Sequence, residues 1–107
     1  MAETLFGTPL RTDTLVLVAA LGETYPSELA ALLKRPLYGV QRALSGLEQA
    51  GAIATRRRGT IRLVSMEPRY FAHEELYALA LRLSRLPRYE NIVKHVRRRP
   101  RAIGKPL

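Results

Sequence analysis

The stretch "KRPLYGVQRALSGLEQAGAIATRRRGTIRL", Lys34–Leu63, decides the fold. The apolar residues at helical spacing in its first half are Val40, Leu44 and Leu47. Gly51 stands just beyond them, where helices commonly end. Two short extended runs, "AIATR" and "TIRLV", follow with a glycine between them. The stretch therefore predicts a helix from Pro36 or Leu37 to about Ala50, and then a β-hairpin with a tight tip.

Two helices are predicted before this stretch. Thr8-Pro9 is typical of a helix start, and the following "LRTDTLVLVAALG" is apolar on most sides. We expect this segment to be the central helix of the core, ending at Gly22. Pro26 opens a second, short helix, "PSELAALLKR". The residues expected to serve only as scaffold are Leu29, Val40, Leu44, Leu47 and Ile53.

A long final helix, "PRYFAHEELYALALRLSRL", is predicted to begin at Pro68. It carries more apolar residues than so small a core should need, which indicates a partner surface. We expect a homodimer that pairs through the first and final helices. The alternative is that the final helix only closes the core of the monomer. The fold class is mostly α with a small β-hairpin: a winged helix-turn-helix with a three-helix core, a wing and a long C-terminal dimerisation helix. Residues 1–86 form this domain, and residues 87–107 form a basic extension that is partly helical and then disordered.

The positive charge lies in two blocks. The chain of 107 residues has a net charge of +9. Residues 34–62 contribute +6 and residues 87–107 another +6, whereas residues 1–33 carry −3 and residues 63–86 are neutral. Clustering of this kind is typical of a surface that binds a polyanion such as nucleic acid.

From Leu5 to Leu86 the chain resembles the ArsR-type winged-helix regulators of bacteria and archaea. The residues that carry the resemblance are "LFGTPLRTDTLVLVAAL", "YPSELAALL", "VQRALSGLEQAGAI" and "TRRRGTIRLVSMEP". The chain departs from the family at the turn, where Lys34 and Arg35 replace a glycine and an aliphatic residue, and at Pro36, which replaces a serine cap. The resemblance implies the fold and binding to double-stranded DNA. Metal sensing is not implied, because the cysteine and histidine clusters of the sensing members are missing.

The third helix is predicted to read bases in the major groove. Gln41 can bond adenine and Arg42 guanine through two hydrogen bonds each, and Tyr38 and Ser45 can hold phosphates or bases. The helix residues expected at the DNA are Leu37, Tyr38, Gln41, Arg42 and Ser45. The alternative is an ordinary solvated helix face.

Arginines in the hairpin and the tail are the second predicted contact with DNA. The hairpin residues are Arg56, Arg57, Arg58 and Arg62, with Arg58 at the tip near phosphates or the minor groove. The alternative role of these arginines is to protect a sheet edge. Further phosphate contacts are expected at Lys34, Arg35, Arg97, Arg98 and Arg99, and along the rest of the tail at Arg101 and Lys105. A solvated basic tail is the alternative.

Several function classes are disfavoured by the sequence. With no cysteine, disulfides and thiolate chemistry are excluded. The two histidines, His73 and His95, form no nucleophile–base pair or metal-ligand spacing, so we expect neither an enzyme nor a cofactor. The longest apolar run, Leu15–Leu21, is too short to span a bilayer, and a cytoplasmic protein is expected. Two rivals stay open: a winged helix that binds RNA or ribonucleoprotein, and a protein adaptor.

Overall fold

The computed structural model describes residues 5–97, which form five helices and a small antiparallel sheet. The helices are α1 (Pro9–Leu21), α2 (Pro26–Leu33), α3 (Leu37–Gln49), α4 (His73–Leu83) and α5 (Pro87–Arg97). The strands are β1 (Glu23–Thr24), β2 (Ile53–Arg58) and β3 (Ile61–Met66), in spatial order β1-β3-β2. The predicted fold class, a mostly helical winged helix-turn-helix, is confirmed.

Helix α1 runs through the centre of the protein. Every residue from Thr12 to Ala19 is buried, so no side of the helix faces water over two turns. Helices α3, α4 and α5 and strand β3 pack around it. Thr8 caps its N-terminus by accepting the N–H of Arg11 at 3.1 Å, and Gly22 ends it with φ of 83°. The prediction of a central helix is confirmed.

The predicted scaffold residues all lie in the core. Leu29, Val40, Leu44, Leu47 and Ile53 are each at most 5% exposed. Burial of an aliphatic side chain of this size contributes roughly 1.5–3 kcal/mol. Packing of one side of α3 therefore determines which of its residues face water.

Helices α2 and α3 end in the same hydrogen-bonded turn. After each helix one residue adopts the left-handed conformation, Lys34 with φ of 55° and Gly51 with φ of 86°. The N–H of the next residue then donates to the carbonyl five positions earlier, at 3.1 Å after α2 and 3.0 Å after α3. Left-handed backbone costs a non-glycine residue about 1 kcal/mol. The turn into α3 is therefore strained at Lys34.

The sheet has one strand more than predicted. Glu23 and Thr24 pair with Ser65 and Val64 of β3, whereas the sequence predicted only an extended residue before Pro26. Two residues are too few to show the alternation that identifies a strand. The hairpin itself is confirmed, and its tip is the pair Gly59–Thr60, which shifts Arg58 from the tip to the last position of β2.

The helix that the sequence predicted from Pro68 is α4, and it begins five residues later, at His73. The N–H of Tyr70 donates to the carbonyl of Glu67 at 3.1 Å, and the N–H of His73 donates to that of Tyr70 at 2.9 Å. These successive turns after Pro68 delay helix α4 until His73. Phe71 therefore lies in a turn, where it is 91% exposed.

Helix α5 is anchored to α1 by a buried carboxylate. Asp13 is 4% exposed and accepts hydrogen bonds from the hydroxyl of Tyr89 at 2.5 Å and from the guanidinium of Arg88 at 2.8 and 2.9 Å. Charged and hydroxyl donors together compensate the burial of the carboxylate. Because Tyr89, Val93 and Val96 are also buried, residues 87–96 pack with the helical core.

Candidate nucleic-acid interface

Helix α3 has one buried side and one polar side. The exposed polar side carries Tyr38, Gln41, Arg42 and Ser45. Their spacing of three, one and three residues places them on neighbouring turns of one face. The side chains of Gln41 and Ser45 form no hydrogen bond with any other residue between 5 and 97. The polar groups of this face are therefore available to an external partner.

The start of α3 adds apolar and basic side chains to this face. Leu37 is 42% exposed and Tyr38 is 69% exposed. The guanidinium of Arg42 lies over the ring of Tyr38, 5.7 Å from its centre. Lys34 and Arg35 are exposed in the turn before the helix. Two further cations thus stand at the N-terminal end of α3.

Two of the four hairpin arginines bind acids of the same chain. Arg56 donates to Glu23 of β1 at 2.8 Å. Arg62 donates to Glu48 of α3 at 3.0 Å, and Thr55 donates to the same carboxylate at 2.9 Å. These contacts fasten the wing to β1 and to α3, and they partly neutralise both arginines.

The other two hairpin arginines have no such partner. Arg57 and Arg58 are exposed and form no ion pair or hydrogen bond within the described part of the chain. Side chains alternate along β2, so that Arg58 points to one side of the sheet and Arg57 to the other. Arg57 lies directly opposite Arg62 on β3. The wing therefore offers two available cations, one on each side of the sheet.

Sequence reasoning did not identify Arg11, which lies against α3. Its guanidinium covers the backbone of Gly46: a Cβ built there would lie 2.9 Å from Cζ of Arg11. Nε of Arg11 is buried and has no hydrogen-bond partner among the described residues. A shallow cavity of about 350 Å³ opens beside it, lined by Arg11, Tyr38, Gln41, Arg42, Ser45, Gly46 and Gln49. The only sequence signal was a single base in an otherwise acidic N-terminal third.

Arg69 is bound to an acid of the chain, and the predicted phosphate contacts of the tail lie at or beyond the end of the described residues. Arg69 donates its backbone N–H and its guanidinium to Glu67, and these bonds hold the pKa of the Glu67 carboxyl below its usual value. Arg98 and Arg99 lie outside the described residues, as do Arg101 and Lys105. Arg97 is the last residue of α5, and only its backbone belongs to the described part of the structure.

Two negative findings apply to residues 5–97. They contain no group of three or more His, Cys, Asp or Glu side chains placed to hold a metal ion. None of their helices combines the length and the apolar character that crossing a bilayer requires.

Solved structures share this fold at low sequence identity. MarR from E. coli in its oxidised form matches with a TM-score of 0.59 and 17% identity over 88% of this chain and 67% of MarR. A cysteine-to-serine mutant of MarR complexed with operator DNA gives 0.58 and 16% over 88% of this chain and 67% of the mutant. YusO from Bacillus subtilis gives 0.59 and 17% over 87% of this chain and 63% of YusO.

A fourth match is a "possible transcriptional regulator for arsenical resistance". Its TM-score is 0.52, with 24% identity over 79% of this chain and 85% of that protein. The chain spans about two thirds of MarR and somewhat less of YusO. No protein-family model and no curated protein matches the sequence. These likenesses establish a winged-helix fold without distinguishing the ArsR type from the MarR type.

Proposed function

We propose that the protein is a sequence-specific regulator of transcription that binds double-stranded DNA. Helix α3 enters the major groove, and the wing lies on the backbone or the adjacent minor groove. One observation carries this proposal: the exposed face of α3, with Gln41 and Arg42, has no hydrogen-bond or ion-pair partner within residues 5–97, and the hairpin of the same fold carries Arg57 and Arg58, which also lack an acid partner there.

The chemistry of the face suits base edges and phosphates together. Gln41 pairs with adenine and Arg42 with guanine, each discriminating by roughly 1–3 kcal/mol. Ser45 and Tyr38 supply hydroxyl donors, and Leu37 supplies apolar contact. Lys34 and Arg35 meet phosphates at the start of the helix. On the wing, Arg56 and Arg62 contribute less than Arg57 and Arg58, because acids of the chain already bind them. The MarR mutant with operator DNA supports a DNA-binding role for this fold.

We assign the regulator to the ArsR type on its sequence resemblance, and place its action in the cytoplasm. One of the matching structures is the possible regulator for arsenical resistance, at 24% identity. As in the sequence resemblance, no metal-sensing role follows, because the chain has no cysteine. The regulator acts by occupying its DNA site.

Homodimerisation is the second part of the proposal, and exposed apolar residues in α4 and in the segments on either side of it support it. Tyr77, Leu79 and Leu86 are between 37% and 41% exposed, and Phe71 is more exposed still. The middle of α1 is buried within one chain, so α1 contributes only its ends to a pairing surface. A two-fold dimer presents two α3 helices to successive major grooves about 34 Å apart.

Selection of binding sequences from a random duplex pool, run at two salt concentrations, tests the DNA-binding role. The wild type is expected to enrich a two-fold symmetric site. Arg42→Met is expected to bind with weaker preference at one base pair in each half-site, by roughly 1–3 kcal/mol. Lys94→Met removes one positive charge from the exposed side of α5 and serves as the matched control, with unchanged preference.

Two outcomes contradict the proposal. One is the absence of any enriched duplex together with tight binding of structured RNA in a competition assay, which favours the RNA-binding rival. The other is the selection of the same duplex sequences by Arg42→Met and by the wild type, with equal preference at every base pair.

Light scattering after size-exclusion chromatography tests the dimer. Leu79→Glu places a charge on the exposed face of α4 and is expected to shift the mass from two chains toward one, because a buried charge opposes pairing. Ala31→Glu adds the same charge to the exposed side of α2 and is expected to leave the mass unchanged. A wild-type mass of one chain at high concentration contradicts the dimer.

A further inference from the structure

Arg11 is a basic residue of α1 whose side chain packs against α3. It lies in the first turn of α1, and its backbone N–H is held by the cap at Thr8. From there its side chain crosses to α3 and lies over Gly46. The close approach needs a residue without a side chain at position 46. Gly46 thus has a packing reason, although glycine weakens the interior of a helix.

Within residues 5–97, no acid forms an ion pair with this guanidinium. Nε of Arg11 is buried without a hydrogen-bond partner among residues 5–97, and no ion pair of Arg11 occurs there. No residue that lines the neighbouring cavity is acidic, and one of them, Arg42, is a second cation. Removing a guanidinium nitrogen from water without a partner is unfavourable. An anion that enters the cavity relieves this cost.

We propose that Arg11 binds a phosphodiester of the DNA duplex that α3 enters, through the cavity it shares with Arg42. This inference rests on the proposed function and adds a contact from outside both the helix-turn-helix and the wing. The planar fork of arginine matches phosphate oxygens. The hydroxyls of Tyr38 and Ser45 line the same cavity as neutral donors. Because the cavity lies on the exposed face of α3, a duplex docked on that face covers it.

A phosphate contact and a base contact differ in what their loss changes. A phosphate contact positions the duplex and carries no sequence information directly. Its loss lowers the slope of log affinity against log salt by about 0.9. Arg11 is therefore expected to set affinity and salt dependence, whereas Arg42 sets sequence preference.

Titration of the selected duplex at several salt concentrations tests the site. Arg11→Met keeps much of the side chain's length and removes its charge. We expect about tenfold weaker binding, as for one lost charge-assisted hydrogen bond, a salt slope lower by about 0.9, and an unchanged selected sequence. Lys94→Met on the exposed side of α5 is the control for removal of one charge, with a smaller expected loss of affinity. The thermal midpoints of Lys94→Met and Arg11→Met report whether each variant is folded.

Gly46→Ala supplies an independent variant that keeps every charge. Its methyl group displaces the guanidinium of Arg11, while alanine favours the helix. We expect binding and salt slope to fall as in Arg11→Met, with a thermal midpoint at or above that of the wild type. The double variant Arg11→Met/Gly46→Ala is expected to bind no more weakly than either single variant, because both remove one contact.

Four results overturn the inference. A wild type that binds no duplex removes the proposed function and this contact together. A wild type that binds while Arg11→Met retains its affinity and slope removes only the Arg11 site. Additive losses in the double variant show that Arg11 acts independently of Gly46, which removes the site in the shared cavity. Thermal stabilisation by inorganic phosphate that depends on Arg11, without a change in the duplex salt slope, shows that the site takes a free anion instead.

Discussion

The four arginines of the wing have one chemistry and two kinds of surroundings. Arg56 and Arg62 each donate to a carboxylate of this chain, at 2.8 and 3.0 Å. Arg57 and Arg58 are exposed and bind no acid within residues 5–97. The availability of an arginine to a polyanion therefore depends on whether the fold brings an acid to it. Membership of a basic block in the sequence does not settle that availability.

The acids that make this difference come from distant or differently folded parts of the chain. Glu23 precedes Arg56 by 33 residues and reaches it because β1 pairs with β3. Glu48 comes from α3 and reaches Arg62 across the packing of the helix against the hairpin. Two of the four wing arginines thus attach the wing to the rest of the fold, and the other two are available to an external partner.

The largest expected effect follows replacement of both available arginines. Arg57→Gln/Arg58→Gln is expected to weaken binding of every duplex by about a hundredfold, since two charge-assisted contacts are lost. The salt slope falls by about 1.8 for two phosphates, and the selected sequence is unchanged. Fluorescence anisotropy at several salt concentrations measures both quantities.

The paired arginines provide the matched control for this experiment. Arg56→Gln/Arg62→Gln removes the same formal charge. Because acids of the chain already neutralise these two arginines in part, we expect the affinity for DNA to fall by less than about tenfold. Equal losses in the two double variants would mean that total charge, and not availability, governs binding.

A smaller effect, of opposite sign, is expected when an acid is removed. Glu48→Gln frees Arg62 from its pair, and binding is expected to tighten by about threefold, in line with the modest strength of exposed pairs. The same titrations measure this gain. Glu74→Gln removes one negative charge from exposed α4 and is the control. If both variants bound DNA more tightly by the same factor, the increase in affinity would come from net charge alone and not from the release of Arg62.

Regular features of the fold were predictable from the sequence. The spacing of Val40, Leu44 and Leu47 identified α3 and its buried side, and Gly51 marked its end. The apolar run after Thr8-Pro9 identified a central helix. These features are local, because periodicity and capping depend on residues within a few turns of one another. The polar face of α3 follows from its buried face by geometry alone.

The remaining features depend on contacts between distant residues. Strand β1 has only two residues, and it exists because β3 supplies its hydrogen bonds. The anchoring of α5 joins Asp13 to Arg88 and Tyr89 across some 75 residues. Arg11 reaches the candidate site only because α1 crosses α3 at Gly46. No local pattern in the sequence carries this information.

Lys34, which has a left-handed backbone before α3, affects both the stability of the fold and the charge beside the candidate interface. Glycine at position 34 would relax the backbone by about 1 kcal/mol, as Gly51 already does in the equivalent turn after α3. It would also delete a cation from the entrance of the helix proposed to read DNA. On the proposed function, Lys34→Gly therefore raises the free energy of unfolding and weakens binding to DNA. The most stable variant of this protein and its tightest binder are then expected to differ at position 34.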